Sequence, residues 1–154
     1  VDFQLNLESE PISQAHPARP TTLEPQATVR TALRTLAEQR TGALLICRDK
    51  RLLGIFTERD ALRLMATNAD LDAPLEEHMR KEPITLGPSA TLAQAVKQMS
   101  EGKIRRLPIV DSQGIPVGML KVSGIVRYLV EHFPKVVYTL PPAPHHKTKD
   151  REGA

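Results

Sequence analysis

The stretch TLEPQAT at residues 22–28 is written again, with five of its seven positions unchanged, as TLGPSAT at residues 85–91. The two copies start 63 residues apart, and the likeness continues downstream of both. After Thr28, the side chains of Val29, Ala32, Leu33 and Leu36 fall on one helical face; after Thr91, those of Leu92, Ala95, Val96 and Met99 do so at the same offsets. Two apolar runs around a polar turn follow in each copy. They are ALLIC (43–47), RDKR (48–51) and LLGIF (52–56) in the first, and LPIV (107–110), DSQG (111–114) and PVGML (116–120) in the second. A helical pattern closes each copy, at about 58–66 and about 122–132. The predicted unit is strand, helix, strand, strand, helix, written twice. Gly54 and Gly118 are 64 apart, so the second copy has one more residue in its turn. A unit of this size buries too little apolar surface alone, so the expected fold is α+β, with both units packed into one module.

Composition narrows the function. Of 154 residues, 40 % are hydrophobic and 25 % charged, an ordinary balance for a globular protein, and the formal charge of +3 is too mild to point to a partner. Aromatics at 3 % leave few platforms for stacking bases, which weighs against single-stranded nucleic acid. The single cysteine, Cys47, sits inside ALLIC; it excludes an intramolecular disulfide and a multi-cysteine zinc site, and it reads as packing rather than as a nucleophile. No apolar run approaches the roughly 20 residues that span a bilayer. Val1 opens no signal-peptide pattern, so a cytoplasmic location without membrane contact is the expectation. No nucleophile stands with its base and no Gly-rich phosphate loop occurs, so the chain is not expected to be an enzyme.

The expected organisation is an N-terminal extension over 1–17, a first motif over 18–68, a connector over 69–80, a second motif over 81–133 and a tail over 134–154. The end of that tail, PPAPHHKTKDREGA (141–154), has almost no apolar content and is expected to be disordered. His145 and His146 are adjacent without nearby carboxylates, so no metal site is expected there. In the connector, Asp72 is expected to cap a short helix with Pro74 in its first turn and His78 on its surface.

The chemistry concentrates in GIFTERD (54–60), where a strand ends, a hydroxyl follows, and a carboxylate comes three residues later at a helix start. One reading is structural: Thr57 as N-cap and Asp60 at the third helical position make a capping box. The other uses the same geometry as a site, in which the helix N-terminus and hydroxyl receive a phosphate and the carboxylate accepts bonds from two ribose hydroxyls. The residues alone leave both open.

Glycine, two apolar residues, Thr or Ser, two variable residues and Asp, set in a doubled unit, resemble the cystathionine-β-synthase (CBS) domain pair, or Bateman module. The likeness covers roughly residues 18–133. GKIRRLPIVD (102–111) resembles that family's second-strand segment, the TLxPxAT phrases resemble its opening strand and first-helix cap, and EHFPKVVYTLPP (131–142) resembles a tail seen after some pairs.

The resemblance implies two motifs related by a pseudo-twofold axis, with two clefts, each built from both motifs. In the first cleft it implies Thr57 for phosphate, Asp60 for ribose, Ile55 and Ile84 against the base, Pro83 along the adenine edge, and Arg105 and Arg106 near the phosphates. The second motif departs from the pattern: GMLKVSG (118–124) has Lys121 in place of Thr or Ser and Gly124 in place of Asp. A second cleft lined by Thr21, Gly42 and Lys121 is therefore expected to be weak or empty. The implied function is a non-enzymatic sensor, needing no cofactor, that binds AMP, ADP or ATP and forms a homodimer. S-adenosylmethionine or a cyclic dinucleotide fits less well, since the former brings no phosphate for Arg105 and Arg106. A ligand-free dimerisation scaffold and a nucleic-acid binder are the alternatives.

Overall fold

The computed structural model describes residues 7–133. The expectations for the tail and for His145 and His146 lie outside the described residues. Within them each repeat takes the predicted order. The first runs through β1 (Thr22–Leu23), α1 (Val29–Gln39), β2 (Ala43–Arg48), β3 (Arg51–Thr57) and α2 (Glu58–Ala66). After β4 (Arg80–Lys81), the second repeat has α3 (Leu92–Gly102), β5 (Arg106–Val110), β6 (Pro116–Lys121) and α4 (Val122–His132). Its opening segment makes a parallel bridge, Leu86 to Ile109, where the first repeat pairs β1 parallel to β2. Both hairpins carry a register shift at matching places, between Ile46 and Cys47 and between Ile109 and Val110.

Sequence explains the helix starts. Thr28, Thr57 and Thr91 each cap a helix by accepting the backbone N–H three residues on, and Thr57 and Thr91 complete full capping boxes with Asp60 and Gln94. Lys121, at the same place before α4, provides no side-chain cap. The connector differs from expectation. Asp72 does not cap; it pairs with Arg30 of α1 at 3.0 Å, and Pro74 precedes a 3-10 turn at Leu75–Glu77, which ends at His78. Arg30 holds the Asp72 carboxyl below its ordinary range, and three residues are too few for an α-helix that Asp72 could cap.

Each repeat's sheet is completed by the segment that leads into the other. β4, just ahead of the second repeat, pairs antiparallel with β3 of the first through Gly54–Lys81 and Ile55–Arg80. Ala18, just ahead of the first repeat, exchanges both backbone hydrogen bonds with Met119 of β6 at 2.9 Å. The glycines of the two motifs stand at these crossings. A Cβ on Gly54 would meet the Arg80 carbonyl at 2.7 Å, and one on Gly118 would meet Pro17 at 3.3 Å.

Three apolar clusters follow. Val29, Leu44, Ile46, Phe56 and Leu64 build the core of the first repeat, and Leu92, Leu107, Leu120 and Ile125 that of the second. Between them lie Leu45, Cys47, Ile55 and Met119, all buried, so the repeats share an interior. Burial pushes the Cys47 thiol up from its ordinary pKa, which suits packing and not attack. Residues of the N-terminal extension, Leu7, Ile12 and Ala15, are buried in the core of the second repeat, held by Ile12 N–H to the Ala90 carbonyl and Leu92 N–H to the Glu10 carbonyl.

Candidate functional site

A cavity of about 490 Å³ opens between the repeats. One wall is Ile55 and Thr57 at the end of β3 with the first turn of α2; the other is Pro83 and Ile84 with the stretch from Gly102 to Arg106 and Pro108. Of the residues expected in the first cleft, Ile55, Thr57, Pro83, Ile84, Arg105 and Arg106 line it. Asp60 stands one layer deeper, with no exposed surface.

The structure realises the capping reading of TERD in full. Asp60 Oδ2 accepts from the Thr57 backbone N–H at 2.9 Å and from the Thr57 hydroxyl at 3.0 Å. Asp60 Oδ1 accepts from Arg63 Nη1 at 3.1 Å and lies 3.7 Å from Arg80 Nε, an ion pair beyond hydrogen-bond length. A buried carboxylate needs such partners to stay charged. The cap and the candidate site are therefore the same atoms. Thr57 keeps its hydroxyl proton on Asp60, at the N-terminal end of the α2 dipole.

Cations crowd the rim. Arg59, Arg80, Lys81 and Lys103 join Arg105 and Arg106, against the carboxylates of Glu58 and Glu82. Sequence reasoning missed Arg59, Arg80, Lys81 and Lys103. The signal was the basic pair in HMRKEP (78–83), assigned to the connector and the edge of the second motif, where nothing local says that Arg80 pairs with Ile55. Arg106 Nε is buried without a hydrogen-bond partner, and the guanidinium lies against Gly42 across the repeat boundary. Any side chain at Gly42 would collide with it.

Gly42 corrects an expectation. Assigned to the second cleft, it lines the first, because β2 begins beside the end of β3: Ala43 pairs with Thr57, and Gly42 accepts the Glu58 N–H at 3.1 Å. Its counterpart is Arg105, which accepts the Val122 N–H at 2.9 Å. Thus where one cleft has a guanidinium the pseudo-equivalent position has none. The Thr21 carbonyl accepts the Leu45 N–H, Lys121 leaves α4 uncapped, and Gly124 stands where Asp60 does in the first repeat. A Cβ at Gly124 would sit 2.6 Å from the Ala15 carbonyl, so the second repeat has closed the space a carboxylate needs. Among the described residues, no group of three His, Cys, Asp or Glu side chains gathers as for a metal, and no helix is long and apolar enough to cross a membrane.

Comparison with known proteins agrees with this architecture. The CBS domain protein PAE2072 from Pyrobaculum aerophilum, solved complexed with AMP, is 28 % identical and superposes with a TM-score of 0.72 over 79 % of this chain and 96 % of its own. The CBS domain pair of protein MJ0100, solved with 5-methylthioadenosine and S-adenosyl-L-methionine, is 25 % identical with a TM-score of 0.65, over 71 % of this chain and 90 % of its own. In sequence, the CBS domain-containing protein YhcV of Bacillus subtilis is 32 % identical over 105 residues, 68 % of this chain and 74 % of that protein. Another curated relative, from Acidianus ambivalens, is covered over 73 % of its length, whereas several are longer and the chain spans 21 % to 54 % of theirs. The family model described as CBS domain matches twice, at residues 13–67 and 75–131, on the two repeats whose lead-in segments are exchanged. The chain therefore belongs to the CBS domain family, as a tandem pair of CBS domains closed around a shared cleft.

Proposed function

We propose that this chain is a non-enzymatic regulatory module that binds one adenine nucleotide, AMP, ADP or ATP, in the cleft between its CBS domains. The observation that carries the proposal is the meeting, in one cavity of about 490 Å³, of Thr57 at a helix N-terminus with Arg105 and Arg106 of the other repeat. Apolar Ile55 and Ile84 offer faces to a base, the cationic rim suits phosphate, and Asp60, buried behind that lining, is the carboxylate for ribose. The AMP complex of the similar PAE2072 supports the same choice. The S-adenosylmethionine in the complex of MJ0100 favours a second reading, a sulfonium ligand. Six cationic side chains at the rim weigh against it, since a sulfonium adds another positive charge.

Titration calorimetry with AMP, ADP, ATP, adenosine and S-adenosylmethionine tests this. One site per chain is expected, with the nucleotides ahead of adenosine and of S-adenosylmethionine. Tighter S-adenosylmethionine binding establishes the second reading. No saturable response to any of them leaves a dimerisation scaffold, and affinity for polymer that falls steeply with salt identifies a nucleic-acid binder.

A further inference from the structure

Of the cationic partners of Asp60, Arg80 alone lines the cavity. Asp60 Oδ2 is engaged inside the cap by Thr57, and Oδ1 is hydrogen-bonded by Arg63, which lies outside the cavity lining. Arg80 holds the same Oδ1 at 3.7 Å, too long for a hydrogen bond, so its hold is the looser one. Its backbone is fixed opposite Ile55 in β4, while its side chain is 52 % exposed and free to swing without disturbing the strand. The cavity that it lines also holds Arg59, Lys81, Lys103, Arg105 and Arg106, against the carboxylates of Glu58 and Glu82.

We propose that Arg80 is a displaceable counter-ion that makes the cleft select phosphate-bearing ligands. This rests on the nucleotide reading above. Arg80 neutralises Asp60 until a ligand hydroxyl donates to Oδ1; the freed guanidinium then needs a new anion, among neighbours that are mostly cationic. A nucleotide brings one in its phosphate, and the planar fork of Arg80 transfers to it. A neutral nucleoside brings none, so its binding breaks the ion pair without replacement. The same residue opposes adenosine and assists AMP.

The test is calorimetric titration of AMP and adenosine into the wild type, Arg80→Gln and Arg80→Met, the latter keeping an unbranched aliphatic side chain in β4 and carrying the measurement if the former does not fold. Both variants are expected to bind adenosine more tightly and AMP more weakly than the wild type, so that the preference for AMP falls by about tenfold or more. Arg80→Lys is expected to restore part of that preference. A preference unchanged from the wild type in a variant that still binds overturns the role of Arg80 alone. A wild type that binds neither ligand overturns the nucleotide reading and this inference with it.

Discussion

At the scale of single residues, Asp60 holds the helix start and the candidate ligand site with one side chain. Read as a cap alone, its loss would cost about 0.5–2 kcal/mol. It is instead fully buried, with two donors from Thr57, one from Arg63 and an ion pair to Arg80. We expect Asp60→Asn to lower stability to urea by about 1–3 kcal/mol, because it removes charge-assisted bonds while the half-exposed arginines turn to water, and to abolish most nucleotide binding. A variant with wild-type unfolding and wild-type affinity contradicts both roles. Thr57 and Asp60 were legible because their chemistry is local, four residues in a row. Arg80 was not, since its place depends on the pairing of β4 with β3, a register that no periodicity in the chain announces. Gly42 was misplaced for a related cause: it lies next to the repeat boundary, and sequence says which repeat a residue is in but not which side of that boundary it faces.

At the scale of elements, the two repeats differ most at the starts of α2 and α4. Both follow a strand end with extended backbone, φ −116° and ψ 170° at Thr57, φ −117° and ψ 149° at Lys121. Only the former has a capping side chain. Lys121→Thr is therefore expected to stabilise the protein by about 0.5–2 kcal/mol, as a shift of the urea midpoint to higher concentration; an unchanged midpoint would show that the uncapped amides of α4 are already satisfied. Restoring the carboxylate is another matter. Gly124→Asp is expected to lower the melting temperature without creating a second binding site, since the Ala15 carbonyl occupies the approach to its Cβ. A stoichiometry of two nucleotides per chain in that variant would refute this. The spans of these helices, expected at about 58–66 and about 122–132, were readable from the amphipathic period, which in α2 alone is joined by a cap. The short opening strands and β4 are too brief to carry a period, and only pairing defines them.

At the scale of the whole molecule, Leu62 and Met65 on α2 and Val126 on α4 are each more than half exposed. Such faces on both repeats fit the expected homodimer, in which they would leave water. Light scattering is expected to return twice the chain mass, and Leu62→Glu to shift it to the monomer; a wild-type monomer mass at all concentrations removes the claim. The doubled sequence announced two units, but not that each closes the other's sheet, since exchanged lead-ins leave the internal pattern of both repeats unchanged. That exchange sets a timetable for synthesis on the ribosome. The first repeat finishes its sheet when β4 emerges, shortly after β3, whereas Ala18 waits for Met119, about 100 residues later. At roughly 5–20 residues per second, Leu7, Ile12 and Ala15 spend about 5–20 s outside the ribosome before the core that houses them exists. These apolar side chains are made long before the core that buries them, and in that interval they are open to capture by a chaperone.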